Sequence, residues 1–297
     1  MNPVLSALRA EGIEARENVP MREYTTLRVG GPADIFVESN SAEQLAFALR
    51  IAKENALETL IVGNGSNLLV RDVGFRGMAV HIGERMGGVT VRNECVCAGA
   101  GAALTAAALA AQRAGLSGME PLSGIPGTCG GAVYMNAGAY GGEISAVLKE
   151  AALLAPDGTV ARVPAGALRL GYRRSRMMET GEIVLEAVFS LAPGNGAEIA
   201  AAMRSFAAKR REKQPVTLPS AGSFFKRPEG HFAGALIEAA GLKGARVGGA
   251  EVSTLHAGFL VNAGGATAQD FLDLSALVVE RVYKTSGVTL EPEVRII

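Results

Sequence analysis

The sequence predicts an α+β protein with two nucleotide-scale domains, and three observations predict it. Residues 123–142 read SGIPGTCGGAVYMNAGAYGG, with glycine at seven of twenty positions. Short strand patterns alternate with helical patterns through the first 190 residues. The turn cluster Ala192-Pro193-Gly194-Asn195-Gly196 then forms the best boundary in the chain, and a further α+β region follows it.

Taken in order, residues 1–20 read as a short amphipathic helix and a tether. A strand is expected over 34–37. A helix from 42 to about 55 has Ser41 and Gln44 as its capping box and Leu45, Leu49 and Ala52 as its apolar face. Residues 58–62 give the next strand, which runs into Gly63-Asn64-Gly65-Ser66-Asn67, and 78–82 give another. From about 88 the pattern becomes paired strands, 89–92 and 95–98, followed by an alanine-rich helix over 103–113. Residues 147–154 and 183–190 read as strands flanking a turn at Pro156-Asp157-Gly158. A helix over 197–212 ends in Lys209, Arg210, Arg211 and Lys213; either these complement its C-terminal dipole on a solvated face or they meet phosphate. A compact loop at 219–226, a strand over 259–262, a helix capped by Thr267 and a strand-like run over 288–297 complete the chain. The expected organisation is a helix and tether (1–20), a two-lobed cofactor domain (21–193, with lobes 21–85 and 86–193) and a substrate domain (194–297).

The composition excludes several classes. Apolar residues make up 48% of the 297, enough for a sizeable core. Acidic and basic residues balance at 29 each, so there is no basic field for nucleic acid. No run of apolar residues is long enough to insert in a membrane, and the first residues lack a basic region followed by an apolar core. A cytoplasmic protein is expected, with no obligate protein partner evident. Cys95 and Cys97 fall on one face of a strand and are expected to be core thiols; Cys129 is read as a small space filler. His81, His231 and His256 have no metal-like spacing, so no metal is expected.

The glycine-dense segment is too rich in glycine for a helix or strand interior. Its spaced apolar residues, Ile125, Val133, Tyr134, Met135 and Tyr140, are equally unlike a linker. Such backbone either approaches a ligand closely, above all a pyrophosphate, or bends against a neighbouring sheet. Residues 61–67 place G-x-G after a strand but lack the third glycine of a Rossmann loop, and no P-loop lysine follows. Two separate loops, 63–67 and 123–131, could instead clamp one pyrophosphate from both sides.

The motifs at 26–33, 62–67, 124–141, Gly171-Tyr172-Arg173-Arg174-Ser175, 219–226 and Glu291-Pro292-Glu293-Val294 occur in one order along nearly the whole chain. Together they resemble the UDP-N-acetylenolpyruvoylglucosamine reductase family, in its shorter, type II branch. The resemblance implies a two-lobed PCMH-type (vanillyl-alcohol-oxidase-like) FAD-binding domain plus a C-terminal α+β substrate-binding domain. It implies noncovalent FAD, NADPH as hydride donor, and UDP-N-acetylglucosamine enolpyruvate as the substrate reduced to UDP-N-acetylmuramate for peptidoglycan precursors. The implied FAD contacts are Val62, Gly63, Asn64, Gly65, Ser66 and Asn67 in one loop. In the other segment they are Gly124, Ile125, Pro126, Gly127, Thr128, Gly130, Gly131, Ala132, Asn136, Ala137, Gly138 and Gly141. Ser223 corresponds to the family's proton donor to substrate C2, after hydride arrives at C3; Glu293 corresponds to its terminal catalytic glutamate, and Arg173 to the arginine that meets the substrate carboxylate. Tyr172, Lys226, Lys243 and Asn262 are the implied further substrate contacts, although Asn262 could equally cap a strand end. Ala235 stands where many relatives carry a basic residue, and Arg227 where they carry asparagine. The rival readings are another PCMH-type flavin oxidase or dehydrogenase, disfavoured because 123–142 has no attachment histidine, and a non-catalytic nucleotide-binding module.

Overall fold

The computed structural model describes residues 2–297. It divides into two compact units interleaved along the sequence: 1–16, 35–64 and 77–209 in the first, and 17–34, 65–76 and 210–297 in the second.

Helices of the first unit form where caps and apolar stripes coincide. Helix α1 (Pro3–Ala10) starts with Asn2, whose side chain accepts the Val4 N–H at 3.0 Å, and it buries Val4, Leu5 and Leu8. Helix α2 (Ala42–Glu54) is capped by Ser41, which accepts the Gln44 N–H. The expected capping box is offset by one residue, because the Gln44 side chain accepts from the Asn40 N–H and not from Ser41. Helix α3 (Leu104–Arg113) buries Leu104, Ala107, Ala108 and Ala111. Residues expected to be a tether form a strand, Glu14–Pro20, which buries Ala15 and Val19.

Two expectations fail in this unit. The glycine segment does contain regular structure: helix α4 (Cys129–Met135) and a pair of two-residue strands, Gly138–Ala139 and Gly142–Glu143. Glycine is needed at position 130 of α4 because the helix packs closely there: a Cβ on Gly130 would lie 2.8 Å from the Ala100 Cβ. Cys95 and Cys97 share a face as expected, but it is the half-exposed one. The strand Cys95–Gly99 turns Val96 and Ala98 into the core, so the thiols line an open cavity with Arg92, Lys149, Glu150 and Arg162. Cys129 does fill core space, and burial pushes its thiol up to about 12, which makes it inert.

A five-stranded antiparallel sheet supports this unit, in the order Val160–Pro164, Leu148–Leu154, Ile183–Ser190, Cys95–Gly99, Val89–Arg92. The strand Thr59–Val62, which ends at the first candidate loop, pairs in parallel with Phe75–Ile82 in register Thr59↔Met78 to Val62↔His81. His81 is a sheet residue, its Nδ1 paired with the Glu38 carboxylate. Helices α5 (Met177–Thr180) and α6 (Gly196–Lys213) follow.

The second unit is built on an antiparallel sheet in the order Ser220–Ser223, Phe259–Asn262, Ala250–Val252, Arg246–Val247. Helices α7 (Ala233–Ala239) and α8 (Ala268–Ser286) accompany it. Phe224 and Phe271, both fully buried, stack at 6.4 Å at the centre of this core. Helix α8 starts with a true capping box between Thr267 and Asp270. Asp72 adds a second cap, accepting the Ala268 and Gln269 N–H groups at 2.8 and 2.9 Å. Of the expected C-terminal strand only Arg295–Ile296 is regular. Among the described residues no helix is long and apolar enough to cross a membrane.

Candidate functional site

In the first unit the two candidate loops meet. A Cβ added to Gly63 would lie 2.5 Å from Thr128 Oγ1, so only glycine lets the backbone at 63 reach Thr128. The Asn64 side chain donates to the Pro126 carbonyl at 3.4 Å. Val62, which leads into this contact, is buried. The N–H groups of Asn64, Gly124, Gly127 and Thr128 donate to no acceptor among the described residues. These unspent donors at the junction of two loops suit a phosphate group.

The first turn of α4, by contrast, is already engaged. Cys129 donates to Ala102, Gly130 to Ala100 and Gly131 to Thr128 Oγ1, at 2.7, 2.9 and 3.3 Å. Anion-binding capacity therefore lies in the loop before the helix. Ile125 and Ala137 are half-buried against the core, Ala132 is buried and Pro126 is exposed. Gly138 and Gly141 lie on a tight hairpin with Tyr140 and Gly141 both left-handed, at φ 52° and 84°.

Asn136 is fully buried and spends its amide on protein. Its Nδ2 donates to the Gly171 carbonyl at 3.0 Å and its Oδ1 accepts the Ser145 N–H at 2.9 Å. Gly171 and Arg174 exchange backbone bonds of 3.0 and 3.1 Å, which puts Tyr172 and Arg173 at the tip of a turn. Tyr172 is 53% exposed and its ring lies 5.1 Å from the Arg173 guanidinium carbon.

The second unit holds the other half of the candidates. Gly65 is left-handed at φ 57°, and a Cβ there would sit 1.9 Å from the Tyr24 carbonyl. The Gly65 and Ser66 N–H groups also lack an acceptor among the described residues. Asn67 Nδ2 donates to the Glu293 carbonyl at 3.2 Å, and its own carbonyl accepts the Arg295 N–H at 3.0 Å. Arg295–Ile296 then pairs in parallel with Leu68–Leu69.

Ser223 ends its strand beyond an irregularity at Gly222, which is left-handed at φ 77°. The next residue, Phe224, accepts the Glu293 N–H at 2.8 Å, and Lys226 donates to the Glu291 carbonyl at 2.8 Å. Residues 223 and 293 thus lie on adjoining, hydrogen-bonded segments although seventy positions separate them. The Ser223 hydroxyl is exposed and bonds to none of the described residues. Thr26 holds the other end of that strand, donating to the Ser220 carbonyl at 2.6 Å.

The expected substrate contacts in this unit are occupied by local partners. Lys226 pairs with Glu291 at 3.0 Å and Lys243 with Glu238 at 2.6 Å, both pairs largely exposed. Such pairs are weak enough to exchange for a phosphate. Asn262 is a cap: its Oδ1 accepts from Gly264 and Ala266, and its Nδ2 donates to the Leu27 carbonyl at 3.2 Å. Arg173 belongs to the first unit, Ser223 and Glu293 to the second. Ser175, Asp72 and Thr26 each act by a bond to backbone distant in sequence, which leaves no periodic signal in the sequence.

His256 orders the backbone beside this site. Its Nδ1 accepts the Gly258 N–H at 3.1 Å and its ring meets Phe259 edge-on at 5.0 Å. Burial, reinforced by the Lys243 charge, holds its pKa below the ordinary value, with a backbone hydrogen bond and the Glu238 charge opposing. The folded state thus binds this proton less readily than the unfolded chain. Stability is whole above the unfolded imidazole pKa of about 6.5 and falls as pH drops below it. A His256→Asn variant should show a flatter dependence of Tm on pH between about 7 and 5 than the parent.

An α+β unit with meeting glycine loops and unspent backbone donors suits a pyrophosphate-containing cofactor, and the match to an FAD-binding domain model makes this an FAD-binding protein of the PCMH type. A family model described as an FAD binding domain matches residues 33–164, and one described as UDP-N-acetylenolpyruvoylglucosamine reductase, C-terminal domain, matches 214–297. The chain belongs to the UDP-N-acetylenolpyruvoylglucosamine reductase family. It is 49% identical over 278 residues to the reductase of Alkaliphilus oremlandii, covering 94% of this chain and 91% of that one. It is 47% identical over 286 residues to the reductase of Streptococcus thermophilus, covering 96% and 94%. The crystal structure of the reductase from Thermus caldophilus superposes with a TM-score of 0.79 at 36% identity, over 96% of this chain and 98% of that one.

Proposed function

We propose that the chain reduces UDP-N-acetylglucosamine enolpyruvate to UDP-N-acetylmuramate, with FAD as resident cofactor and NADPH as the source of hydride. The observation that carries the reading is the Phe224–Glu293 backbone bond, which sets an unspent serine hydroxyl and a carboxyl group on adjoining segments. Identity to reductases over more than nine-tenths of the chain supports it.

FAD, when bound, supplies the two-electron chemistry. Asn64, Gly124, Gly127 and Thr128 are the candidates to hold its pyrophosphate through backbone N–H groups. Gly63, Gly130, Gly131, Gly138 and Gly141 contribute by their lack of a Cβ. The protein's own task is to bind, orient and protonate the substrate. Arg173 takes the enolpyruvyl carboxylate, because a guanidinium offers a fixed fork of donors that matches it. Charge develops on that carboxylate and its neighbouring carbon during reduction, so a fixed cation there lowers the barrier. Ser223 Oγ donates the proton to C2, and Glu293 orients the group that receives it. Lys226 and Lys243 exchange their glutamate partners for the substrate's diphosphate, Tyr172 packs beside the same substrate, and Asn262 keeps the strand end in place.

The test is product identity. One NADPH should be oxidised for each substrate consumed, and the product should be heavier than the substrate by two hydrogens. NADPH consumption that needs oxygen and leaves the substrate intact would favour an oxidase on the same scaffold.

A further inference from the structure

We propose that Asn136 is a positioning residue for Arg173, tying the carboxylate-binding turn to the end of the flavin-loop helix α4. The inference rests on the reading of Arg173 given above. Three contacts join residues 134–138 to residues 171–175. The Asn136 amide donates to the Gly171 carbonyl at 3.0 Å. The Ser175 hydroxyl, fully buried, donates to the Tyr134 carbonyl at 2.7 Å. The Arg173 guanidinium reaches the Gly138 carbonyl at 3.5 Å.

The turn is thus pinned at both ends and at its tip by one five-residue stretch. Arg173 needs that support, because its backbone is left-handed at φ 52°, a region that L side chains rarely adopt. Asn136 is left-handed too, at φ 42° and ψ 55°, as the residue that closes α4. Glycine would satisfy that backbone demand alone. Asparagine adds a side chain whose donor and acceptor are both used, in a site with no exposure to water. Its carboxamide fixes where the turn sits relative to α4, and so where the guanidinium can present its fork.

Asn136→Asp tests this with almost no change of shape. The Ser145 N–H keeps its acceptor, while the donor facing the Gly171 carbonyl becomes an oxygen. Asn136→Gly is the second variant, which keeps the left-handed backbone and deletes both side-chain bonds. KM for the enolpyruvyl substrate should rise about tenfold in either variant, and by less than about twofold when the same change is made in an Arg173→Ala background. A residue that merely supported the fold would cost the same factor in both backgrounds. Equal losses with and without Arg173, or no change in KM, would overturn the positioning role while leaving the function of Arg173 intact. An Arg173→Ala enzyme with unaltered KM would overturn the role assigned to Arg173, and this proposal with it.

Discussion

Replacing Ser223 with alanine is expected to leave an enzyme that binds FAD and is bleached by NADPH, yet is reoxidised by UDP-N-acetylglucosamine enolpyruvate about 10²–10⁴-fold more slowly, the usual contribution of a positioned proton donor. The substitution removes one oxygen from an exposed position whose hydroxyl bonds to none of the described residues, so the fold they form loses nothing that the hydroxyl supported. The backbone at 223 stays in register with Phe259, and Phe224 still accepts from Glu293. Stopped-flow absorbance separates the two half-reactions. Slow reoxidation with normal bleaching is the expected result; near-normal reoxidation would remove Ser223 from the chemistry. Ser223→Cys retains a weak donor and should fall between alanine and the parent.

The second large effect is on cofactor retention. Gly63→Val places a branched side chain where even a Cβ would lie 2.5 Å from Thr128 Oγ1 and 3.1 Å from its Cγ2. Thr128 is only 5% exposed and caps α4, so it has little room to move aside. The loop must then part from Thr128, and losing even one charge-assisted bond to the cofactor's phosphate costs on the order of 2 kcal/mol, so FAD should bind about 30-fold more weakly. Protein purified without added flavin should be colourless but folded by circular dichroism. Gly166→Ala is the matched control, since a Cβ there meets nothing within 4 Å, and it should retain FAD fully. A yellow Gly63→Val protein would show that the loop at 63 does not shape the flavin site.

Much of the fold was legible because local signals agreed with tertiary demand. Helices α2 and α8 are announced by Ser41 and Thr267 and by apolar residues at helical spacing. The paired strands at 89–92 and 95–99 follow from their alternation. Helix α4 was hidden because glycine opposes helix by propensity, and only close packing against Ala100 explains its presence. Spacing put Cys95 and Cys97 on one face, but it could not say which: Val96 and Ala98 win the core, and the thiols are left beside charged neighbours. The candidate site divides in the same way. The glycine loops advertise themselves by composition. The bond between Phe224 and Glu293, the Asn136 contact with Gly171 and the Thr26 contact with Ser220 join residues 35 to 194 positions apart. No periodicity records such contacts, so those residues are legible only through family resemblance or in the structure.

In the proposed reaction one flavin links NADPH oxidation to reduction of the enolpyruvyl substrate. An anaerobic absorption titration of the FAD-loaded protein, first with NADPH and then with UDP-N-acetylglucosamine enolpyruvate, follows both halves of that link in one cuvette. The flavin band should bleach with NADPH and return in full on adding the substrate, with oxygen excluded throughout. A band that bleaches but returns only when oxygen is admitted would mean that the enolpyruvyl compound is not the flavin's acceptor.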